Sequence, residues 1–338
     1  MQAERIVENL NRAHHELFGR DPAVCLIGED LLDPYGGAFK VSRDLSTRFP
    51  ERVLSAPISE CAFTGMACGM ALAGEKPIVE IMFGDFIGYA FDPLWNLAAK
   101  SVSMYGRRVP IHLLVRCTVG GNRGFGATHS QSPQKHFLGI PDLDLFEVNP
   151  FHDNVELLAE LIERGNPVLL FENKTLYSRH CVREGALDDL FSWRFIGPRR
   201  EFAKICIEEP ESPDAVIVAS GSVVFSALEA ARRAFLDHEL ETVILTPAQL
   251  HPFPLAPILD DLARAKRILV IEEGIAGGSW AESVATAIYS RLWGRLENPV
   301  ICLHSKSSII PCARHLEERV LLQSDHVFEA LIGESVRA

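Results

Sequence analysis

The sequence lacks the paired cysteines of a zinc ribbon or a thioredoxin-like site. Its eight cysteines, at positions 25, 61, 68, 117, 181, 206, 302 and 312, are scattered, and no two form a CxxC pair. Structural zinc sites and dithiol redox sites both depend on such close spacing. Most of these cysteines lie in apolar runs, which predicts buried free thiols and a reducing, cytoplasmic location.

Concentrated positive charge is also missing. The formal net charge is −12, and the longest basic runs are pairs such as Arg107-Arg108. This composition argues against partners such as nucleic acid or an anionic membrane surface. No apolar run reaches the length of a membrane span, and residues 1–21 have the pattern of an amphipathic helix instead of a signal or transit peptide.

Several ligand-binding motifs are absent. The sequence contains no GxxxxGK[ST] loop, no strand-following GxGxxG and no GxSxG elbow. Gly84-Asp85-Phe86 with Asn96 differs from the metal-diphosphate motif of thiamine enzymes, which needs Gly-Asp-Gly and a more distant pair of asparagines. We therefore predict no metal site on this chain.

Buried strands alternate with helical patterns along the 338 residues, of which 47% are hydrophobic. This alternation predicts an α/β protein with two doubly wound domains and parallel sheets. The expected strands cover 24–27, 52–55, 77–83, 110–116, 143–148 and 167–172, and then 215–219, 241–246, 267–273 and 300–304. Residues 174–200 break the pattern. We predict domains at 1–185 and 201–338, the second smaller, joined by a linker at 186–200.

Residues 57–86 are the part of the sequence most typical of a binding site. Glu60 precedes a helix pattern at 61–73 that is rich in glycine and alanine, and a buried strand at 77–83 leads to Gly84-Asp85-Phe86. The small side chains allow close approach of another backbone or a flat ligand. Glu60 fits two interpretations. Spacing alone favours a charge in the first turn of a helix capped by Ser59, and the alternative is a functional carboxylate.

A long polar loop, 117–134, follows the expected strand 110–116 and carries His129. Loops of this length in compact domains are usually functional or disordered, and ligands of parallel sheets bind where strands end. A single histidine in a loop is nevertheless more often solvated than catalytic. The loop alone therefore leaves the role of His129 open.

Several segments together resemble one family. They are GED at 28–30, YGGAFKVS at 35–42, PISECAFTGMACGMALAG at 57–74, PIVEIMFGDF at 77–86, GNRGFGATHSQS at 121–132, NPVLLFEN at 166–173 and IEEG at 271–274. In order and spacing the chain resembles the beta subunit of the thiamine-diphosphate-dependent decarboxylase component of 2-oxoacid dehydrogenases (pyruvate, branched-chain and acetoin types), within the transketolase-like superfamily.

The resemblance implies a pyrimidine-binding N-terminal domain, a transketolase-type C-terminal domain and a cofactor, thiamine diphosphate, shared between two chains. An alpha-type partner is expected to supply the diphosphate motif and Mg²⁺ in an α2β2 assembly. The implied function is decarboxylation of a 2-oxoacid and transfer of the acyl unit to an acceptor such as lipoamide. A lipoyl acyltransferase is a further expected partner.

The resemblance also assigns roles to individual residues. Glu60 matches the glutamate that hydrogen-bonds the pyrimidine ring nitrogen and favours the imino tautomer, which takes the proton of the thiazolium carbon. Phe86 matches the aromatic residue that stacks on the pyrimidine, and Met82 and Ile58 are expected against the same ring. His129 matches a histidine that faces the reacting centre and assists proton transfer.

Four positions depart from the family pattern. Tyr89, which we place in the cofactor-binding set, replaces a glutamine. His136, which we place in the substrate pocket, replaces a tryptophan, and Gly139 replaces a histidine. Arg164 replaces an aspartate that helps to hold a structural monovalent cation in relatives.

These departures leave two alternatives to the dehydrogenase-type subunit. One is a split transketolase-like or acyloin-forming carboligase of a biosynthetic pathway, and the other is a scaffolding protein without catalysis. Glu60, Phe86 and His129 are all retained, which counts against the scaffolding protein.

Overall fold

The computed structural model describes residues 4–333, which form two compact units. One unit comprises 4–120, 128–133 and 137–181, and the other comprises 121–127, 134–136 and 182–333. The stretch 117–134, expected as one loop, is thus divided between the units. The predicted domain boundaries at 185 and 201 remain a sequence-based prediction.

The first unit contains the helices and strands that carry most of the predicted site. Its elements are α1 (Ile6–Arg20), β1 (Val24–Gly28), α2 (Leu45–Arg48), β2 (Val53–Ser55), α3 (Glu60–Leu72), β3 (Lys76–Ile81), β4 (Leu114–Val119), β5 (Asp144–Glu147), α4 (Asn154–Glu163) and β6 (Val168–Asn173). A 3-10 helix at Gly84–Ala90 and a π-helix at Pro93–Ala99 lie between β3 and β4.

The strands of this unit are parallel, in the order β5-β6-β4-β3-β1-β2. Strands β1, β3, β4 and β6 are buried along nearly their whole length, as expected for strands covered on both faces. Helix α1 buries Ile6, Leu10, Ala13 and Leu17, which share one helical face, and packs against α4. Because all these strands run the same way, their carboxyl ends meet at one edge.

The second unit contains a mixed sheet. Its elements are β7 (Gly185–Ala186), β8 (Ser192–Ile196), β9 (Phe202–Cys206), β10 (Ala215–Ala219), α5 (Val224–His238), β11 (Thr242–Pro247), β12 (Gln249–His251), α6 (Leu259–Arg264), β13 (Arg267–Ile275), α7 (Trp280–Leu292), β14 (Ile301–Ser305), α8 (Arg314–Val320) and α9 (Ser324–Ile332). The strand order is β14-β13-β10-β11-β9-β8-β7. Strands β14, β13, β10 and β11 are parallel, whereas β9, β8 and β7 join antiparallel.

The α/β class and the two domains are confirmed, and several details differ. Residues 186–200 contain strand β8, since short connections let β7, β8 and β9 pair antiparallel. The sequence pattern predicts a regular helix over 89–104, but the structure has 3-10 and π segments around Pro93, which has no N–H to donate. The pattern also predicts a last helix over 325–336, and the structure shows it to Ile332; residues 334–336 and 1–3 lie outside the described range.

The cysteines and the helices test two expectations from composition. All eight cysteines are free, and Cys25, Cys68, Cys117 and Cys206 are buried, whereas Cys61 and Cys312 are exposed. Within residues 4–333, no helix combines the length and apolar character needed to cross a membrane.

Candidate active site

The carboxyl-terminal edge of the first sheet gathers polar and aromatic side chains. Glu29 follows β1, Glu60 begins the helix after β2, and Met82 follows β3. The segment that carries His129 follows β4. Ligands of parallel sheets bind at this edge, where loops leave the strands. The parallel fold therefore brings together residues that are as far apart in sequence as positions 29 and 129.

Glu60 is the first residue of α3 and is only 7% exposed. Ser59 precedes it but makes no side-chain capping hydrogen bond, so the expected serine cap is not formed. The positive end of the helix dipole favours a carboxylate here. No hydrogen bond or ion pair of the Glu60 side chain occurs within residues 4–333. Neither carboxylate oxygen of Glu60 is among the fully enclosed atoms without a partner, so a ligand can reach the carboxylate and supply the hydrogen-bond donor.

A second carboxylate, Glu29, lies near Glu60. It is 9% exposed, and its Oε1 atom has no hydrogen-bond partner within the described chain. Burial raises the pKa of Glu29, and the charges of Glu60 and Asp30 raise it further. In the sequence, Glu29 is singled out only as part of the GED motif at 28–30. An acidic residue directly after a buried strand was the signal that could have identified it.

His129 packs against two phenylalanine rings. Its ring centroid is 4.5 Å from that of Phe83 and 5.3 Å from that of Phe86, and both contacts are edge-to-face. Phe83 and Phe86 are 5.9 Å apart, and Nδ1 of His129 lies 2.9 Å from Oγ1 of Thr128. Such edge-to-face pairs fix ring orientation. The structure thus brings together Phe86 and His129, two residues that the sequence analysis assigned to one site.

The remaining predicted residues of the first unit differ in exposure. Met82 is half-buried at the end of β3. Ile58, two residues before Glu60, is 84% exposed, and Tyr89, in the 3-10 helix that follows β3, is 68% exposed. Both exposed side chains are accessible to a ligand or to another chain. Their contact with a cofactor remains a prediction.

His136 belongs to the second unit, where it is exposed in the 3-10 helix Gln134–Phe137. Its assignment to a substrate pocket remains a prediction. Arg164, which replaces the family aspartate, donates to Oδ2 of Asp144 at 2.7 Å and to Oε1 of Glu160 at 2.9 Å. Within residues 4–333, no cluster of three or more His, Cys, Asp or Glu side chains is arranged to hold a metal ion.

Comparison with known proteins identifies the family. The sequence matches the family "Transketolase, pyrimidine binding domain" over residues 5–179 and "Transketolase, C-terminal domain" over 204–327. The mitochondrial pyruvate dehydrogenase E1 component subunit beta-1 of Arabidopsis thaliana is 31% identical over 323 residues, 95% of this chain and 86% of the relative. The chain belongs to the family of transketolase-like beta subunits of 2-oxoacid dehydrogenases.

Other members of the family agree with this assignment. The beta subunit of the acetoin:2,6-dichlorophenolindophenol oxidoreductase of Cupriavidus necator is 30% identical over 320 residues, 91% of this chain and 90% of that protein. A solved structure described as "Split gene transketolase, inactive beta4 tetramer" superposes with a TM-score of 0.72 at 22% identity, and covers 96% of both chains. That structure supports the fold alone. The resemblance inferred from the sequence motifs is confirmed.

The site residues fit the aminopyrimidine that this family implies. The unpaired carboxylate of Glu60 can accept a hydrogen bond from a ring N–H. The half-buried rings of Phe83 and Phe86 offer an aromatic surface for a flat heterocycle. Carboxylate and aromatic groups at the end of parallel strands thus suit the pyrimidine side of thiamine diphosphate.

Proposed function

We propose that this beta subunit is half of a split thiamine-diphosphate-dependent enzyme that decarboxylates a 2-oxoacid and passes the acyl unit to an acceptor such as lipoamide. The observation that carries the proposal is the buried carboxylate of Glu60, which has no partner within residues 4–333 and lies at the sheet edge that also holds Phe86 and His129. Relatives named as pyruvate dehydrogenase and acetoin oxidoreductase beta subunits support it.

Glu60 is proposed to accept a hydrogen bond from the pyrimidine and to hold the shared proton. A carboxylate suits this role because it exchanges a proton with a nitrogen over a short distance. Phe86, Met82, Ile58 and Tyr89 are proposed to hold the ring. When bound, the cofactor supplies carbanion stabilisation, which is the chemistry that decarboxylation of a 2-oxoacid requires.

His129 is proposed to orient the substrate and to move a proton at its oxygen. Imidazole suits this role because its ordinary pKa lies near physiological pH. Phe83 and Phe86 restrict its ring, and Thr128 lies within hydrogen-bond distance of Nδ1, which leaves Nε2 for the substrate side. A restricted ring loses less entropy when the reacting groups align.

An alpha-type partner is proposed to supply the diphosphate motif and Mg²⁺ in an α2β2 assembly. One surface of helix α3 suits a partner: Cys61, Gly65, Gly69 and Ala73 recur every four residues, and we call this stripe the α3 face. A Cβ atom at Gly65 or Gly69 would meet nothing within 4 Å. Close backbone approach by another chain is therefore sterically possible there.

Exposed apolar side chains from the same region of the unit favour this partner surface. Met66 of α3 is 48% exposed, and Trp95 of the π-helix, which packs against α3, is 44% exposed. Exposed apolar surface of this kind marks interaction sites. A lipoyl acyltransferase is proposed as a second partner. The free cysteines support the cytoplasm as the proposed location.

The test is reconstitution. The chain is purified alone and with an alpha-type subunit that carries Gly-Asp-Gly and an asparagine pair, and 2-oxoacid decarboxylation is measured with an artificial electron acceptor. We expect activity only in the pair. Glu60→Gln should abolish turnover with the fold intact, whereas the exposed control Glu75→Gln should not change it.

Three outcomes separate the alternatives. Full activity of the single chain would contradict the shared site, and unchanged proton exchange at the thiazolium carbon in Glu60→Gln would contradict the role of Glu60. Reductive acylation of a lipoyl domain identifies a dehydrogenase-type subunit. Transfer to an aldehyde or ketone without acylation would instead identify the carboligase.

A further inference from the structure

The Gly84-Asp85-Phe86 turn does not bind a diphosphate by sequence criteria, but it lies directly against the segment that carries His129. A Cβ atom at Gly84 would be 2.9 Å from Cγ1 of Val119, 3.1 Å from the carbonyl oxygen of Gln131 and 3.2 Å from Cδ of Pro133. Only glycine allows so close an approach. The turn and residues 131–133 are therefore packed backbone to backbone.

Both main-chain polar groups of Gln131 are held in this contact. Its N–H donates to Oδ2 of Asp85 at 3.3 Å, and its carbonyl oxygen accepts from the N–H of Gly120 at 3.1 Å. Asp85, the acceptor, lies four residues after the end of β3, and Gly120, the donor to the Gln131 carbonyl, directly follows β4. Two strand ends thus fix one residue of the segment from opposite sides.

The imidazole of His129, two residues before Gln131, packs against the same turn. His129 contacts Phe83 and Phe86, which flank Gly84 and Asp85 in sequence. The ammonium group of Lys174, a residue only 1% exposed that directly follows β6, lies 5.6 Å from the Phe83 ring centroid. Burial raises the pKa of Asp85, whereas the hydrogen bond from Gln131 and the nearby charge of Lys174 lower it. Asp85 is thus within electrostatic reach of Lys174.

We infer that Asp85 is a positioning residue for His129. By accepting a hydrogen bond from the N–H of Gln131 it fixes residues 129–131, so that the imidazole stays packed against Phe83 and Phe86. This inference rests on the proposed function for its catalytic consequence, but the structural relation is independent of it. Displacement of a catalytic group by about 1 Å can lower a rate about 100-fold. Loss of the Asp85 acceptor, which holds Gln131 two residues from His129, can therefore lower the rate.

The test removes the acceptor and observes the imidazole directly. The free chain is labelled with ¹³C at histidine Cε1, and the His129 signal is identified by its loss in His129→Gln. Asp85→Ala and Asp85→Val should move that signal toward the position of a solvated histidine, because the aromatic rings no longer pack against it. Asp85→Asn keeps an acceptor oxygen and should restore most of the parent position. The exposed Asp237→Ala is the matched control.

Kinetics of the reconstituted pair provide the second readout. Asp85→Ala should lower kcat about 10- to 100-fold with little change in KM, and Asp85→Asn should recover most of that loss. An unchanged His129 signal in folded Asp85→Ala and Asp85→Val would overturn the inference. If the signal moves as expected but the parent pair decarboxylates no 2-oxoacid, the positioning stands and the proposed function fails.

Discussion

At the scale of single residues, Arg116 of β4 is a buried charge that is 2% exposed. It donates to Glu80 on one neighbouring strand at 2.8 Å and, through two nitrogens, to Glu172 on the other at 2.7 and 2.8 Å. The two carboxylates raise the pKa of Arg116 against the effect of burial. One guanidinium thus compensates two buried carboxylates across three strands.

Arg116→Met should lower the free energy of unfolding by about 3–5 kcal/mol, because it leaves Glu80 and Glu172 buried without their cation. Urea unfolding measures the change. Arg314→Met is the control, since Arg314 is 89% exposed in its pair with Glu318 and its loss should change stability by less than about 1 kcal/mol. If the triple variant with Glu80→Gln and Glu172→Gln recovers no stability, unpaired charge is not the cause.

Glu29 gives a pH-dependent prediction. Its pKa is raised in the folded chain by burial and by the charge of Glu60, so folding strengthens its hold on the proton. Its contribution to stability is therefore fully present below the unfolded pKa of about 4.3 and is lost as the pH rises through the folded pKa. Glu29→Gln should be more stable than the parent at pH 7, with the difference disappearing below about pH 4.

Urea unfolding across this pH range measures the difference, and the exposed Glu51→Gln is the control. Equal stability of Glu29→Gln and the parent at pH 7 would show that the Glu29 carboxylate does not lower the free energy of unfolding. A destabilising carboxylate at the predicted cofactor site is consistent with function, because functional sites commonly hold groups that destabilise the fold.

At the scale of elements, helix α3 combines a buried face with the open α3 face. Gly65 and Gly69 lie in its interior, and a Cβ atom at either would meet no atom within 4 Å. Alanine should therefore stabilise the single chain by about 0.5–1 kcal/mol at each position, through helix propensity alone. Thermal or urea unfolding of Gly69→Ala measures it.

Gly74 is the matched control for this prediction. It lies just after α3 with φ +98°, a backbone conformation that alanine rarely adopts. Gly74→Ala should therefore destabilise the chain although the space around it is also open. The same sign of change at Gly69 and Gly74 would contradict the explanation by backbone conformation.

At the scale of the whole molecule, the α3 face is the surface that we expect to bind the alpha-type partner. Gly69→Trp should leave the single chain folded, since the site is open, but should abolish co-purification with the alpha-type partner because the indole blocks close approach. Leu236→Trp, at a 65% exposed position on α5, is the control and should assemble normally. Size-exclusion chromatography after co-expression gives the readout, and normal assembly of Gly69→Trp would contradict a partner on the α3 face.

The sequence by itself determined the two α/β domains, the main parallel strands and the family. These features follow from the local alternation of apolar and polar residues and from motifs such as 57–74 and 77–86, each of which is a contiguous stretch of the sequence. It also named Glu60, Phe86 and His129, through resemblance. It did not predict strands β8 and β9, and it predicted a regular helix where Pro93 and packing against α3 give 3-10 and π turns.

Only the tertiary structure decided which of these groups meet and which remain without partners. Glu29 beside Glu60, the Phe83–His129–Phe86 contact and the Asp85–Gln131 hydrogen bond join residues that lie on different strand ends. Burial and the absence of a donor for Glu60 within residues 4–333 are likewise results of packing. Proximity through space depends on how strands pair, and that pairing is non-local, so no reading of neighbouring residues could supply it.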